Sequence, residues 1–282
     1  MFAVTGASGQ LGRLVVDALL SKVPPDQIVA LVRAPDSMSD LAAKGVHVRS
    51  FDYDAPETLV PALAGVSRLL LISGNAIGSR VPQHRAVIDA AKAAGVALVA
   101  YTSILNADRS PMLLAAEHKA TEEMLAASGI DHALLRNGWY TENYLMGAGA
   151  AIAHGVLLGS SGDGAISAAA RGDYAEAAAT VLVRGLTGTF ELAGDDSFTQ
   201  SELADALAAI SGKSVVYQNL PQAEYAAALE QVGLPGPYAA ILADSDARAA
   251  EGALFDASRT LSQLIGRPTT PWRETIATAL AG

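Results

Sequence analysis

Short apolar runs rich in valine, isoleucine and leucine alternate along the first half of the chain with segments of helical spacing. In the segment from Leu11 to Leu19, apolar residues recur every three or four positions, as on one face of a helix. The runs are Phe2–Thr5, Ile28–Val32, Val46–Phe51, Leu69–Ser73, Val96–Thr102 and Ala133–Arg136, and the further helical segments are Val81–Ala94 and Met112–Ala127. Strands that alternate with helices predict a parallel sheet buried on both faces. With right-handed crossovers, the pattern indicates an α/β fold with a Rossmann-like, doubly wound parallel sheet.

The alternation breaks after about residue 137. The segment Gly147–Gly164 is rich in glycine, alanine and serine and is predicted to be a loop. Two isolated strands and three helices are predicted beyond it, at Thr189–Ala193, Val215–Leu220, Gln200–Ile210, Gln222–Val232 and Asp256–Ile265. We therefore expect a larger domain over residues 1–150 and a smaller α+β domain over residues 151–282. The chain is expected to cross back to the first domain around residues 165–195.

Composition narrows the class of protein. Of the 282 residues, 51% are hydrophobic and 17% are charged, the net charge is −10, and cysteine is absent. The lack of cysteine excludes disulfides, cysteine-based metal sites and thiol nucleophiles. The acidic balance argues against a nucleic-acid partner, because the scattered lysines and arginines could not neutralise a run of phosphates.

The positive mean hydropathy of +0.28 raises the question of a membrane span. The longest weakly polar stretch, Leu145–Ala170, is mostly alanine and glycine and is interrupted by His154 and Asp163. A spanning helix needs about 20 strongly apolar residues, which this stretch does not supply. The first residues run directly into glycines, without the basic region or cleavage site of a signal peptide. We expect a cytoplasmic protein that does not enter a membrane.

The strongest chemical signal is the segment Thr5–Gly12, which lies between the first strand and the first helix. Gly6 permits a tight turn, Gly9 lets the backbone approach a pyrophosphate, and Gly12 lets the helix pack closely on the strand. The free N–H groups at the start of the helix favour phosphate. The spacing therefore predicts a dinucleotide-binding loop, with cofactor contacts at Gly6, Ala7, Ser8, Gly9, Gln10 and Leu11.

The end of the second strand indicates which dinucleotide binds. Sheets that bind NAD place an aspartate or glutamate there for the ribose 2′-hydroxyl, whereas this chain has Arg33. An arginine suits a 2′-phosphate, so NADPH (NADP+) is predicted as the cofactor. The fourth strand ends at the same edge of the sheet, so Ser73, Gly74 and Asn75 are predicted to be further cofactor neighbours.

Three segments together, Gly6–Gly12, Arg33 and Leu134–Tyr144, resemble the NmrA-like, atypical short-chain dehydrogenase/reductase family, and the likeness extends over essentially the whole chain. Three shorter segments are most similar to bacterial members that reduce quinones, namely Gln83–Arg85, Tyr101–Ser103 and Ala243–Asp246. The resemblance implies an NADPH domain, a small C-terminal domain and a cleft between them for a flat acceptor. It also implies cofactor contacts at Asn137, Gly138, Trp139, Tyr140, Thr141, Glu142 and Arg171.

The chain departs from the wider superfamily at the acid/base position. Ordinary members follow a serine with a tyrosine that transfers the proton. Ser103 occupies the serine position, but the tyrosine position falls on Ala115 or, with a slip of one residue, on Leu114. Quinone reduction tolerates this loss, because the hydroquinone anion is comparatively stable and orientation supplies most of what the reaction requires. The candidate donors to the developing oxyanion are Tyr140, Asn143, Ser103 and Tyr101, with His118 or Lys119 behind them.

The glycine loop, Arg33 and the resemblance together imply an NADPH-dependent quinone oxidoreductase that transfers hydride directly to small quinones, without flavin or metal. Two alternatives stay open: a redox-sensing regulator that binds NADP(H) without turnover, and an NADPH-dependent reductase of triphenylmethane-type dyes. The five histidines lack the spacing of a metal-binding motif. Trp139 and Tyr144 either stack against the acceptor or anchor the core. The oligomeric state is not predicted.

Overall fold

A computed structural model describes residues 1–281. Seven strands form one sheet, namely β1 (Phe2–Thr5), β2 (Ile28–Val32), β3 (His47–Ser50), β4 (Arg68–Leu71), β5 (Leu98–Ile104), β6 (Asp131–Asn137) and β8 (Gly188–Leu192). Their order is β3-β2-β1-β4-β5-β6-β8, and every neighbouring pair is parallel. The prediction of a Rossmann-like, doubly wound parallel sheet is confirmed. The strand order reverses between β1 and β4, and this switch point is where ligands bind in open α/β sheets.

Helices cover both faces of the sheet. Those of the first half are α1 (Gln10–Leu20), α2 (Ser39–Ala43), α3 (Leu59–Ala62), α4 (Arg80–Ala93) and α5 (Ala115–Ser128), and α7 (Arg171–Arg184) follows later. Val4 and Leu70 point into a core shared with α1 and α7. Ala3 and Leu71 point into a second core, shared with α3, α4 and α5. Alternate residues of each strand thus serve opposite cores, which explains why the strands are apolar throughout.

The segment Gly147–Gly164 is not the loop that its composition predicts. It contains α6 (Ala148–His154) and β7 (Val156–Gly159), separated by Gly155 at φ +76°. Alanine is the best helix former, and a glycine in the left-handed region ends a helix, so the composition fits a short helix with its stop. β7 pairs in parallel with β9 (Val216–Asn219) in a separate two-stranded sheet.

The strand predicted at Thr189–Ala193 is not isolated. As β8 it pairs with β6 and becomes the last strand of the main sheet. The helix before it, α7, packs against α1 and completes one more parallel crossover unit. The chain was expected to cross back to the first domain around residues 165–195, and α7 and β8 lie in this range. The irregular segment between β7 and α7 interrupts the periodic pattern, so helix α7 and the pairing of β8 were not predicted.

Prolines in the second half begin helices that the sequence pattern missed. Pro235 immediately precedes α10 (Gly236–Ala249), and Pro271 immediately precedes α12 (Trp272–Ala281). A proline suits the first turn of a helix, where its missing N–H costs nothing. The remaining helices are α8 (Gln200–Ser211), α9 (Gln222–Gln231) and α11 (Thr260–Ile265). The last of these starts at Thr260 rather than at the predicted Asp256.

A third core joins the C-terminal helices to the loops at the edge of the main sheet. It contains Ile166, Phe198, Leu207 and Trp272, together with Ile104 from the end of β5. This places the C-terminal elements over the carboxyl end of the sheet. Within residues 1–281, no helix has both the length and the apolar character needed to cross a bilayer.

Candidate nucleotide-binding and active site

The glycine turn closes tightly between β1 and α1. Gly6 has φ +57° and its carbonyl oxygen accepts a hydrogen bond from Gly9 N–H over 2.8 Å. A Cβ on Gly12 would lie 2.8 Å from the Cα of Ala7, so only glycine allows the helix to pack this closely. Ala7 and Leu11 are buried, whereas Ser8, Gly9 and Gln10 are exposed on the outer side of the turn. The turn therefore presents the start of α1 and its free N–H groups at the surface, a geometry that fits a pyrophosphate.

Arg33 lies next to this turn. Thr5 of β1 pairs with Leu31 of β2, and Ala7 N–H donates to the Leu31 carbonyl oxygen over 3.3 Å. Arg33 follows two residues later and is exposed. Arg33 therefore lies at the same edge of the sheet as the turn, as a site for a 2′-phosphate requires.

Side chains from three elements hold the loop after β4 in place. Ser73 N–H donates to Thr102 Oγ1 of β5 over 2.8 Å, and Gly74 N–H donates to a histidine of α4. The Asn75 carbonyl oxygen accepts from the hydroxyl of Tyr238, in α10, over 2.9 Å. The loop is therefore fixed from the sheet, from α4 and from the C-terminal helices.

The segment after β6 crosses the carboxyl end of the sheet. Gly138 N–H donates to the Leu192 carbonyl oxygen over 2.7 Å, and Thr141 N–H donates to the Ala169 carbonyl oxygen over 2.9 Å. Asn137 is buried, and its Oδ1 has no hydrogen-bond partner within residues 1–281. A buried amide oxygen requires a donor, so Asn137 fits a ligand that brings an N–H group, such as the carboxamide of nicotinamide.

Arg171, the first residue of α7, ties this segment to the helix. Its backbone N–H donates to both carboxylate oxygens of Glu142, at 2.9 and 3.1 Å. Its guanidinium group lies over the ring of Tyr140, 4.8 Å from the centroid, and donates to Asn143 Oδ1 over 3.4 Å. Burial raises the pKa of Tyr140 above its ordinary value, so the hydroxyl keeps its proton at neutral pH. The structure thus brings Tyr140, Glu142, Asn143 and Arg171 into one group.

Trp139 and Tyr144 pack against the third core. The Tyr144 ring meets Phe198 edge-to-face with centroids 5.2 Å apart. The Trp139 carbonyl oxygen accepts from the hydroxyl of Tyr174 over 3.3 Å. Of the two roles considered for these aromatic residues, this packing favours that of core anchors.

Two of the candidate donors, Ser103 and His118, lie in buried networks behind the strand ends. The Ser103 hydroxyl donates to Glu122 Oε1 over 2.6 Å, and Glu122 is paired with Arg136 over 2.6 Å. His118 contacts the Tyr101 hydroxyl through Nδ1 at 2.8 Å. Burial lowers the pKa of His118 to about 3, so the ring is neutral at neutral pH. The structure therefore does not bring these two residues together with Tyr140 and Asn143.

Several residues at the site went unnoticed in the sequence. Tyr238 reaches the site from a distant part of the chain, and Glu122 pairs with Ser103 in the network behind it; no local sequence pattern predicts either contact. Arg80 lies shortly before the segment Gln83–Arg85, but only the fold shows that its guanidinium contacts the Gly74 carbonyl oxygen. Within residues 1–281, no group of three or more histidines and carboxylates is arranged to hold a metal ion.

Known proteins are similar to this chain over almost its whole length. Quinone oxidoreductase 2 of Escherichia coli is 56% identical over 279 residues, which covers 98% of both chains. The crystal structure of the NADPH-dependent quinone oxidoreductase of Escherichia coli, complexed with NADPH, has a TM-score of 0.97 at 54% identity, and the match covers 99% of this chain and 100% of that one. Triphenylmethane reductase of Citrobacter sp., complexed with NADP(H), has a TM-score of 0.94 at 40% identity, with the same coverage.

A family model described as NAD(P)H-binding matches residues 6–183, which include the glycine turn, Arg33 and Arg171. An NmrA-like family oxidoreductase of Aspergillus flavus is 28% identical, over 98% of this chain and 93% of that one. The resemblance expected from the sequence is confirmed: the chain belongs to the NAD(P)H-binding, NmrA-like family of oxidoreductases.

Proposed function

We propose that the protein is an NADPH-dependent quinone oxidoreductase that reduces small quinones without flavin or metal. The observation that carries the proposal is the 56% identity, over 98% of both chains, to a quinone oxidoreductase of Escherichia coli. The tight glycine turn and the adjacent Arg33 support it, because together they suit the pyrophosphate and the 2′-phosphate of NADPH.

In this proposal the cofactor lies along the carboxyl ends of β1, β2, β4 and β6. The turn from Gly6 to Leu11 binds the pyrophosphate, and Arg33 binds the 2′-phosphate. The loop from Ser73 to Asn75 and the segment from Asn137 to Glu142 hold the nicotinamide half, with Arg171 orienting Tyr140. Bound NADPH supplies a hydride, which is the chemistry that the protein itself cannot provide.

The residues of the chain orient the reactants and donate hydrogen bonds to them. A tyrosine ordinarily keeps its proton at neutral pH, and burial raises the pKa of Tyr140 further. We assign its hydroxyl, with the Asn143 amide, to the quinone oxygen on which negative charge develops. Ser103 and His118 act behind the site in this assignment. Ser103 is engaged with Glu122, and His118 with Tyr101, which leaves both as supports rather than proton donors.

The test is reduction of menadione and of a benzoquinone by the purified protein with NADPH, followed by the loss of NADPH absorbance. We expect turnover well above the rate without protein, and faster turnover with NADPH than with NADH. Tight binding of NADP(H) without reduction of any acceptor in a broad panel would instead identify a redox-sensing regulator. The visible spectrum of the purified protein should show no flavin.

A second candidate function is the reduction of triphenylmethane dyes. It is favoured by the similarity, at 40% identity and a TM-score of 0.94, to triphenylmethane reductase of Citrobacter sp.. A competition assay with crystal violet and menadione in one reaction separates the two. Quinone reduction that persists while the dye stays coloured supports the first function, and preferential bleaching of the dye supports the second.

We also propose that residues 1–150, with the return around residues 165–195, form the NADP-binding domain, and that residues 151–282 otherwise form the substrate-cleft domain. The third core supports this division, because most of its members lie in the C-terminal half and pack, as a group, against Ile104, Met112 and Ala115 of the first domain. We further propose a cytoplasmic location, which the proposed use of NADPH and a cysteine-free composition suited to a reducing compartment support. Fractionation of cells that express the protein tests this location.

A further inference from the structure

Gly74, in the loop after β4, is held at both its N–H and its carbonyl by side chains of α4. The N–H donates to Nε2 of His84 over 3.1 Å, and the carbonyl oxygen accepts from Nε of Arg80. Both side chains are buried, and His84 is completely so. A Cβ on Gly74 would lie 3.4 Å from Oε1 of Gln83, so the loop rests directly on α4. The conformation of the loop is therefore set from behind by this helix.

The hydrogen bonds of His84 fix its tautomer. A backbone N–H can only donate, so Nε2 of His84 is the bare, accepting nitrogen. Nδ1 then carries the ring proton and donates to Oγ1 of Thr121, 2.9 Å away, while Thr121 donates to the Glu117 carbonyl oxygen over 2.9 Å. Burial, aided by the charge of Arg80, lowers the pKa of His84 to about 4. The ring is therefore neutral, and its accepting nitrogen is available, at neutral pH.

Arg80 is oriented by further buried groups. Its Nη1 lies 3.5 Å from Nε2 of His118 and 3.9 Å from Oε2 of Glu117. Because a guanidinium can only donate, Nε2 of His118 accepts, and its Nδ1 donates to the Tyr101 hydroxyl over 2.8 Å. Glu117 also accepts from Gly78 N–H over 3.0 Å. This group of side chains thus holds the loop at two residues: Arg80 binds the carbonyl of Gly74 and Glu117 binds the N–H of Gly78.

We propose that His84, as its Nδ1-protonated tautomer, is a positioning residue for the dinucleotide, because it fixes Gly74 and so presents the backbone of Ser73–Asn75 in its binding conformation. The inference rests on the proposed function, in which this loop contacts NADPH. A loop that is already ordered loses little conformational entropy when a ligand binds, and the affinity is correspondingly higher. His84 acts through Gly74 rather than through a contact of its own with the ligand.

Two substitutions separate the roles of the ring nitrogens. His84→Gln keeps a hydrogen-bond acceptor near the position of Nε2, whereas His84→Asn keeps a polar group only near that of Nδ1. We expect His84→Asn to raise the Kd and KM for NADPH about three- to tenfold, the effect of one lost hydrogen bond. The kcat and the quinone KM should change by less than about twofold, because the reacting groups are untouched. His84→Gln should restore the NADPH affinity to within about twofold of the parent.

Val87→Ala is the matched control. Val87 is a fully buried residue of the same helix and packs in the second core, so its truncation lowers Tm without removing a hydrogen bond to the loop. The NADPH Kd of this variant should be unchanged. A rise in Kd that follows the loss of Tm in both Val87→Ala and His84→Asn would overturn the proposal, since the effect would then be one of stability. Ring-nitrogen NMR of the parent protein that finds the proton on Nε2 of His84 would overturn it as well.

NADPH binding by the parent protein distinguishes a failure of this proposal from a failure of the proposed function. If the parent does not bind NADPH, the proposed function fails. If the parent binds NADPH and His84→Asn binds it equally well, only the role of His84 fails.

Discussion

The carboxylate of Glu142 accepts the first backbone N–H of α7, with the amide nitrogen of Arg171 at 2.9 Å from Oε1 and 3.1 Å from Oε2. The side chain of the same arginine lies over the Tyr140 ring. A carboxylate at this position satisfies an otherwise unpaired N–H and complements the helix dipole. This residue pair therefore joins the segment after β6 to α7, and it orients Tyr140 at the same time.

Replacing Glu142 by alanine should weaken both the helix and the site. We expect Glu142→Ala to lower the free energy of unfolding by about 1 kcal/mol, the usual cost of a lost cap, and to raise the KM for NADPH, because Arg171 loses its anchor. Glu202→Ala is the matched control, since Glu202 accepts from Thr199 N–H at the start of α8. Glu202→Ala should lower the free energy of unfolding in urea by a similar amount and leave the KM for NADPH unchanged. Equal effects of the two substitutions on KM would contradict a role for Glu142 at the site.

A side chain at Gly12 should disrupt the turn. The Cβ of Gly12→Ala would lie 2.8 Å from the Cα of Ala7, which is backbone and cannot move aside. We expect a loss of about 1–3 kcal/mol in stability and a large loss of NADPH affinity. Gly149→Ala provides the comparison, because its Cβ would meet no atom within 4 Å in α6, and it should stabilise the protein by up to about 1 kcal/mol. NADPH titration of Gly12→Ala that gives the parent affinity would exclude the turn from the binding site.

Arg33 should determine the choice between NADPH and NADH. Arg33→Asp removes the partner of the 2′-phosphate and adds a repelling charge, so the KM for NADPH should rise at least about tenfold more than that for NADH. Arg85→Asp, at an exposed position on α4, makes the same change in net charge and should leave the ratio of the two constants unaltered. Parallel steady-state assays with both cofactors measure the ratio. An equal rise of the two constants in Arg33→Asp would rule out recognition of the 2′-phosphate by this residue.

Tyr140 should contribute to the chemical step. Removal of its hydroxyl in Tyr140→Phe is expected to lower kcat by about tenfold or more, because a donor to the developing oxyanion is lost, with a smaller change in the Kd for NADPH. Tyr225→Phe removes a hydroxyl from α9 and should leave kcat as it is. Single-turnover measurements with menadione distinguish the chemical step from product release. An unaltered chemical rate in Tyr140→Phe would assign the donor role to another group.

The buried histidines should make the fold sensitive to acid. Burial lowers the pKa of His84 to about 4 and that of His118 to about 3, below the ordinary value of 6.5. The unfolded chain therefore binds more protons below pH 6.5, and stability falls as the pH drops from 6.5 towards 4. Each histidine contributes a loss of about 1.4 kcal/mol per pH unit within this window.

Urea unfolding at several pH values checks this dependence. His118→Gln should be less stable at pH 7 but show a shallower decline towards acid pH. His47→Gln, at an exposed position on β3, should retain the slope of the parent. A slope in His118→Gln as steep as that of the parent would show that other groups control the acid response.

The sequence pattern predicted the core of the fold because it reflects local periodicity. The six strands of the first half, the glycine turn and the position of Arg33 each depend on short-range spacing, and all are found where they were expected. The return of the chain through α7 and β8 is only partly predictable from the sequence. Its strand pairs with β6 through backbone bonds that any sequence could make, so the pairing partner left no local signal.

The contacts that shape the candidate site were less accessible from the sequence. Tyr238 donates to the Asn75 carbonyl oxygen across 163 positions of the chain, and Ser103 faces Glu122 rather than the cleft. Which of several polar groups becomes the partner of a side chain is decided by the packing of whole helices. Residue type and spacing limit the possible hydrogen-bond partners of a side chain, but the partner that it actually contacts is known only from the assembled fold.

β8 lies far along the chain from the other strands of the main sheet, and this limits how short a fragment can still fold. β6 is buried between β5 and β8, and α7 covers α1. A polypeptide that stopped near residue 150 would leave the peptide groups of β6 unpaired at a new edge and would uncover an apolar helix, which are two features that promote aggregation. We therefore expect that an N-terminal fragment ending near residue 150 does not fold as a stable, independent domain. Gene fusions and shortened variants have to retain the chain at least through β8.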